Sequence, residues 1–421
     1  MMNILKRMLL ISWKNVFRNK RRSLLTLLIL TLGSTGLLLV GGFFESLNIN
    51  FQEQLIHTQL GHLQIHKKGF YEEGTSDPFK FLLSDISEIQ NQIEKNPQVT
   101  LTLPRLIVSG MVKVNQSSIP VSALGVDAIR EKKMGSYKGK SAMTEAVHFI
   151  QGQDLSAEDR YGVVLGKGLA ESLDVKPGDV VNLVTTREGG AIDGAEYKVR
   201  GIFESAIKEF DDRTLKMNLE AAQEVMGAPN KIHSLLVLLN STASTDAVQS
   251  MIDKKLQTFS QAIEVITWEK QGIILKQGKA LTNKIYWVVK IIISAIFLLS
   301  IANTINMVVL ERMREFGTMM AMGNSRAVLF STIFLEVFYL SLLGSFMGLC
   351  LGWGFAHLIS WIGIEMPPLP FSTTGYYASI HLYPKLFLEV FGISFISSLL
   401  ASIFPGYRAS HYKIVDALGH V

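Results

Sequence analysis

A chain of 421 residues with 48% hydrophobic content has an average composition that soluble proteins also reach, so the distribution along the chain has to discriminate. Ser23 to Phe44 runs 22 residues without a charge, three more apolar blocks crowd the C-terminal third, and a purely soluble protein is thereby excluded. The formal net charge of +5 does not point to nucleic acid, because seven basic residues (Lys6, Arg7, Lys14, Arg18, Lys20, Arg21 and Arg22) precede the first apolar block with no acid among them, as in a membrane-flanking cluster.

Residues 1–22 are therefore a basic leader and 23–44 a first span, about 33 Å long at ~1.5 Å per residue. It is too long for a signal-peptide core, and Leu37 to Phe44 is followed by Glu45 rather than by a small-x-small cleavage pattern, so a retained helix is expected. Phe43, Leu47, Phe51 and Leu55 recur every four residues, which predicts that the helix continues as an amphipathic stalk over 45–60.

Residues 61–284 carry alternating apolar segments and turn signals, the pattern of a packed α+β domain. Strand, helix and strands are expected at Gly61 to His66, Asp85 to Lys95, Leu101 to Val114 and Ile119 to Val126. A second strand-helix-strand unit is expected at His233 to Leu239, Thr245 to Phe259 and Ala262 to Trp268. The two units form a split core with an inserted subdomain at about 127–230, in which Lys176 to Asp179 marks a turn and Glu188 to Gly194 a polar hairpin tip.

Three further spans are expected at 285–310, 327–364 and 386–404, the one at 327–364 long enough to include a re-entrant or extended end. They are separated by a short loop, 311–326, and a proline-bearing loop, 365–385 that includes Pro367, Pro368 and Pro370, and the tail is 405–421. Four spans put both termini on one side. The leader, Arg312, Arg314 and Arg326, and Arg408 with Lys413 in the tail all fall there, which the positive-inside rule makes cytoplasmic.

Ionisable residues within spans are costly and often functional. Lys290 and Glu389 both sit near the outer ends of their spans and either pair or snorkel separately to the interface; Glu336 is nearer mid-membrane and should face protein or a polar cavity. Gly344, Gly348 and Gly352 form a small-xxx-small series suited to close helix packing.

Catalytic patterns are lacking. The nearest string to a phosphate-binding loop, Gly162 to Gly168, has the wrong spacing and no Ser or Thr after Lys167. His57, His62 and His66 would need metal ligands from elsewhere and read as ordinary surface histidines. Cys350 is the one cysteine, so no intrachain disulfide is available.

The loop from Glu311 to Arg326 reads ERMREFGTMMAMGNSR, a short helix of mixed charge and methionines suited to docking another protein. It resembles the E-R-x-R-E-[IF]-G-x-x-x-A-[ML]-G-x-[ST]-R signature of the FtsX/MacB superfamily of ABC-transporter permeases, and Phe404 to Ser410 followed by Ile414 to Leu418 resembles that superfamily's closing motif. Gly61 to His66, Arg105 to Gly110, Pro120 to Asp127, Val164 to Ala170 and Pro177 to Asp179 look most like the lipoprotein-releasing branch.

The resemblance implies a four-span membrane protein with a large MacB-like extracytoplasmic α+β domain in the bacterial inner membrane. It implies two permease subunits, identical or paralogous, on a dimer of a separate cytoplasmic ATPase that binds ATP and magnesium, with no cofactor in this chain. Arg314, Glu315, Gly317, Met320 and Gly323 would form the ATPase-coupling helix. In this branch the cargo is an acylated lipoprotein passed to a periplasmic carrier, for which the hairpin from Thr185 to Lys198 is a candidate docking hook. The outer half of the first span offers Leu37, Leu38, Leu39, Val40, Phe43 and Phe44 for an acyl chain, and the stalk continues the stripe through Leu47 and Phe51, with Gly41 and Gly42 leaving room beside the aromatics; the same residues equally suit contact with lipid or a partner permease. Two other functions remain open, namely a MacB-like exporter or resistance permease for peptides, toxins or antibiotics, and a signalling scaffold controlling a cell-wall hydrolase.

Overall fold

The computed structural model describes residues 12–14, 18, 20–74, 76–139, 142–256, 262–368 and 372–411. Lys6, Arg7, Pro370 and the tail residues from Lys413 to Leu418 lie outside them. The chain divides into a helical unit (Met1–Asn48, Lys279–Ile364, Ala378–Val421) and an α+β unit (Ile49–Gly278, Glu365–Tyr377).

In chain order, α1 (Lys20–Leu55) ends in a π-helical turn, Ile56–Leu60, and is followed by β1 (Leu63–Lys67), α2 (Ile86–Glu94), the hairpin β2 (Val99–Val114) and β3 (Ser117–Val126), and α3 (Ala128–Gly135). Next come β4 (Val147–Gly152), β5 (Gly162–Gly166), α4 (Lys167–Leu173), β6 (Val180–Thr186), β7 (Ile192–Ser205), β8 (Thr214–Asn218) and α5 (Leu219–Met226). After β9 (Ser234–Leu239), α6 (Thr245–Leu256) and β10 (Ile263–Thr267), the chain forms α7 (Ile273–Glu311), α8 (Met313–Ala321), α9 (Arg326–Ile362), the short β11 (Glu365–Met366) and β12 (Tyr376–Tyr377), and α10 (Pro384–Ser410).

In the α+β unit, β10, β1, β9 and β2 lie side by side, every pair antiparallel. The order follows from two strand-helix-strand units interleaving, a split βαβ arrangement. Ile89 and Ile93 of α2, with Val248, Ile252 and Leu256 of α6, recur at helical spacing and pack on Leu63, Ile65, Leu235 and Val237 of the sheet. The described part of this helix runs from Thr245 to Leu256, and Phe259, its expected end, lies outside the described residues.

The inserted residues do not stand apart from this core. Beyond Arg105, β2 leaves β9, and its far half (Gly110 to Lys113) pairs with β6. β3 pairs with β8, β8 with β5, β5 with β7 and β7 with β6, so the pairings close a ring of six strands around Val112, Val163, Leu165, Val181, Leu183 and Tyr197. A ring leaves no free edge between its members. The 16-residue β2 thus serves both the split core and the insert. The hairpin proposed as a carrier hook is wall rather than protrusion: β6 and β7 are ring strands, the Glu188 amide at their turn bonds the Met226 carbonyl, and Lys231 pairs with Glu188 at 3.1 Å. The loop after α9 also joins this unit, through a bridge from Tyr376 to Ala142 and a Thr373 hydroxyl bonded to the Ser205 carbonyl.

The helical unit holds four helices long and apolar enough to cross a membrane: Ser23–Leu60, Lys276–Glu311, Arg326–Ile362 and Pro384–Ser410. All exceed the uncharged runs, because polar residues extend the helices past the hydrocarbon. The third is one helix from Arg326 to Ile362, without the re-entrant end that its length allowed. At the start of the chain, the Trp13 ring packs edge-on against Tyr339 of α9, 5.2 Å between centroids.

The glycine stripe of α9 lies on α1. A Cβ on Gly344 would come 2.5 Å from Leu30, one on Gly348 2.5 Å from Ser34 and 2.6 Å from the Thr31 carbonyl oxygen, and one on Gly352 2.8 Å from Leu38. That approach lets the Thr31 and Thr35 hydroxyls donate to the carbonyls of Gly344 (3.3 Å) and Gly348 (2.9 Å). Gly348→Leu should therefore force the two backbones apart and lower the midpoint of thermal unfolding in detergent, by about 1–3 kcal/mol of overpacking. Gly354→Leu, on the same helix with nothing within 4 Å of the added carbon, should leave the midpoint unchanged.

Candidate functional site: the loop helix and its charge network

The loop between α7 and α9 folds as α8, as its residue pattern predicts. Met313, Phe316 and Gly317 are buried at i, i+3 and i+4, giving an apolar face, and Met319 and Met320 pack against the same cluster of Leu329, Ile333 and Ala409. Glu315 in the first turn complements the helix dipole. Gly323, at φ +88°, takes the left-handed conformation that terminates the segment. The outward face presents Arg314, Glu315, Thr318 and Ala321, and beyond the helix Met322 is 71% exposed.

Beneath this face lies a charge network. Arg312, 5% exposed, donates from Nη1 to Glu336 Oε2 at 2.9 Å and from Nε to Glu315 Oε2 at 2.8 Å, with its guanidinium 5.1 Å from the centre of the Phe316 ring. Glu336, also buried, is thus neutralised by a residue at the head of the loop helix rather than by a polar cavity. Glu315 receives a second guanidinium, with Arg18 Nη2 at 2.9 and 3.0 Å from its two oxygens. The carboxylate expected to contact a partner lies on the outward face with 48% of its side chain exposed, and within the chain it also joins Arg18 of the basic leader to α8, while α8 is joined by Arg312 to α9. Arg314, Glu315 and Met322 all project. Arg312 and Glu336 are 24 positions apart, and only their shared burial would have signalled the pairing.

The other intramembrane charges are also partnered. Lys290 on α7 bonds Glu389 on α10, and its ammonium lies 4.5 Å from the centre of the Trp287 ring. With 11% of the lysine side chain exposed, pairing prevails over snorkelling for Lys290, while Glu389 keeps 31%.

Two family models match the sequence: MacB-like periplasmic core domain over residues 23–255, more than half of the chain, and FtsX-like permease C-terminal over residues 287–414. The chain belongs to the FtsX/MacB family of ABC-transporter permeases. An uncharacterised ABC transporter permease of Methanocaldococcus jannaschii is 23% identical over 274 residues, 64% of each chain, so the permease spans just under two thirds of that relative's length. The lipoprotein-releasing system transmembrane protein LolE of Haemophilus influenzae is 22% identical over 345 residues, 78% of the permease and 80% of LolE. The lipoprotein-releasing system transmembrane protein LolC of Neisseria meningitidis is 20% identical over 402 residues, 92% of both chains. Among solved structures, the periplasmic region of MacB from Actinobacillus actinomycetemcomitans aligns with 53% of the permease and 95% of that chain, at 14% identity and a TM-score of 0.36.

The apolar stripe expected along the first span of the permease is only partly open. Val40, Phe43 and Phe44 are half-buried, with Phe44 beside Tyr286 at 5.6 Å. Leu37 and Leu38 are enclosed with Leu386 and Val390, and Leu47 is buried as well. The space beside Gly41 and Gly42 is filled by Leu386, Tyr286 and Ile380, so no channel opens there. Phe51 falls in the other unit, where it packs with Leu55, Leu124 and Phe210. An uncharged helix has apolar residues all round, and the sequence periodicity could not say which would be covered by α10.

The histidines of the α+β unit correct the surface reading. His62 and His66 are buried, His62 Nδ1 accepts from the Leu239 amide at 3.1 Å, and burial lowers both rings to a pKa of about 4, so both are neutral. Among the described residues no group of three or more His, Cys, Asp or Glu is placed to hold a metal.

One cluster escaped the sequence reading. Arg105 on β2 is 3% exposed; it donates to Glu131 of α3 at 2.7 Å and to the Gln59 carbonyl at 2.7 Å, while Lys216 of β8 reaches the same Glu131 oxygen at 2.9 Å. Burial alone would raise the Glu131 carboxyl, but the neighbouring Arg105 and Lys216 outweigh it and hold the group at about 2. The guanidinium thereby closes one of the orphan carbonyls that end the π-helical turn. The available signal was a lone charge inside the apolar run from Leu101 to Val112.

Proposed function

We propose that the permease extracts lipid-anchored proteins from the outer leaflet of the bacterial inner membrane, driven by ATP hydrolysis in a separate cytoplasmic ATPase dimer. The observation that carries this reading is the similarity to LolC along 92% of both chains. Similarity to LolE over 78% of the permease supports it. Both termini and α8 then face the cytoplasm, and the MacB-like domain faces the periplasm, where a carrier protein would receive the cargo.

The chemistry asked of this chain is mechanical. The ATPase holds ATP and magnesium; α8 receives its movement through Arg314, Met320 and Met322, and Arg312 passes the load to α9 through Glu336. A second permease, identical or paralogous, completes the assembly. Each CH₂ of an acyl chain kept from water is worth ~0.8 kcal/mol, but a chain in the bilayer is already in hydrocarbon, so the entry surface need only match the membrane while ATP drives release. Val40, Phe43 and Phe44 are the residues of the first helix that supply this surface.

Photo-crosslinkers at Val40 and Phe43 in the full complex should capture acylated protein without ATP and lose it once ATP is hydrolysed. Capture of unacylated peptides would move the function to MacB-like export. Capture of the second permease alone, unchanged by ATP, would overturn entry at this surface.

A further inference from the structure

Within the α+β unit, the side of the sheet away from α2 and α6 carries a cleft of about 560 Å³. Its floor crosses five neighbouring strands, β1, β9, β2, β3 and β8, which contribute Gln64, Ser234, Ile107, Ser122 and Thr214. Side chains alternate along a strand, so Gln64 and Ser234 lie on the face opposite Leu63, Ile65 and Leu235, which α2 and α6 cover. One rim is the π-helical turn with Gln59, and the other is the segment between β7 and β8 with Glu209, Phe210 and Arg213.

Several of these groups have no partner within the described chain. Ser234 and Thr214 are each 4% exposed and line the cleft, and their hydroxyls hold no hydrogen bond among the described residues. Gln64 donates from Nε2 to the Leu60 carbonyl at 2.7 Å, which leaves its Oε1 as an acceptor. The Gln59 carboxamide and the Ser122 hydroxyl are likewise unbonded among the described residues. Polar groups this deep are costly unless a partner completes them. Among them lie Ile107, Leu124 and Leu236, so polar and apolar surface share the floor.

The chemistry of the lining narrows the ligand. Its charges cancel: Arg105 is paired with Glu131, Asp212 with Lys208 at 2.9 Å, and Arg213 and Glu209 stand on one rim with opposite signs. A neutral lining does not select a phosphate or another strong anion. An acyl chain would leave Ser234, Thr214 and Gln64 unbonded against hydrocarbon. Phe210, the aromatic ring on the lining, is 6% exposed and packed with Phe203 and Leu124, so it offers no open face for a sugar ring to stack on. Peptide units fit, because each presents one N–H and one C=O to hydroxyls and carboxamides whatever its side chain, while apolar side chains meet Ile107, Leu124 and Leu236. Four steps of ~4.8 Å between the five strands give a floor about 19 Å long, the reach of about six extended residues at ~3.3 Å each.

We propose that this cleft binds an extended polypeptide segment of about six residues without net charge, held through its main chain. Assigning that segment to the protein part of a lipid-anchored cargo rests on the function proposed above; the binding of peptide does not. Recognition through the main chain lets one cleft serve segments of different sequence.

The test uses the full-length permease in nanodiscs, with p-benzoylphenylalanine in place of the exposed Glu209 on the rim, and a fluorescent hexapeptide of serine, alanine and valine with blocked termini. Irradiation should attach the peptide saturably. The same peptide N-methylated at every second residue, which removes main-chain donors and keeps the side chains, should not be captured. Apparent affinity should fall about fivefold for each of Ser234→Ala and Thr214→Val, one hydrogen bond apiece, and about twenty-fivefold for the double variant. Neither hydroxyl holds a bond within the described chain, so the unfolding midpoint of these variants should not move, whereas a purely structural role would lower it. Ser122→Trp, which fills the floor, should abolish capture. Equal capture of the N-methylated peptide, an unchanged affinity in the double variant, or crosslinks to phospholipid or to a second copy of the chain in place of peptide would each overturn the proposal. Capture of acylated protein at Val40 and Phe43 with no peptide at the cleft rejects the cleft alone; the converse leaves the cleft standing and rejects the cargo reading.

Discussion

Glu336→Ala should cost the helical unit about 3–5 kcal/mol, because it strands a buried guanidinium whose removal from water is no longer offset. Arg312 would keep Glu315, but that carboxylate is 48% exposed and shared with Arg18, so it compensates poorly. Glu315→Ala should for the same reason cost far less. Thermal unfolding of the full chain in detergent reads both, and the double variant Arg312→Met/Glu336→Leu separates charge from packing. It should recover most of the loss, since replacing both members of a buried pair by apolar groups of similar size is often neutral. Recovered stability without recovered transport would place the pair in transmission of force from α8 to α9; recovery of both would leave it a packing element.

Arg105→Ala should be as damaging in the α+β unit. It removes the guanidinium from a carboxylate that is 8% exposed, leaves Lys216 as the remaining cation, and frees the Gln59 carbonyl at the end of the π-helical turn. Breaking such a buried network costs about 3–5 kcal/mol, and the surviving Lys216 puts the expected value at the lower end. The pH dependence carries a sign. In the folded protein Glu131 titrates at about 2, below its ordinary value of 4.5, so the native state holds its charge where the unfolded chain would take up a proton. The stability it contributes is complete above 4.5 and is lost as the pH falls toward 2. Without Arg105 the folded value rises, the contribution shrinks at neutral pH, and acid unfolding should begin at higher pH than in the unaltered protein. An acid limb unmoved by Arg105→Ala, followed by thermal unfolding from neutral pH downward, would show that Lys216 alone sets the Glu131 charge.

Local pattern carried much of this molecule. The uncharged run from Ser23 to Phe44 required a membrane helix, since only an internally hydrogen-bonded segment satisfies its backbone in hydrocarbon. Ile89 with Ile93 and Val248 with Ile252 declared helix faces, alternation in β2 and the short continuous apolar run of β9 declared strands, and Met313 with Phe316 declared α8. In each case the information sits within one or two turns of chain, where residue type and period decide between helix and strand. The stripe of Gly344, Gly348 and Gly352 likewise announced close packing, because little but another helix has use for a surface without side chains.

Which faces meet was decided by the tertiary structure alone. No period in the sequence distinguishes Leu38, enclosed by α10, from Leu32, left open, because every face of an uncharged helix is apolar. The closing of β6 onto the far half of β2, which turns an inserted segment into a six-stranded ring, depends on a register between residues some 70 positions apart. The partners of Glu336 and Glu131 follow the same rule: a buried charge announces that it needs a counter-charge, and only the packed fold, by bringing Arg312 and Arg105 within 3 Å, says which one it has.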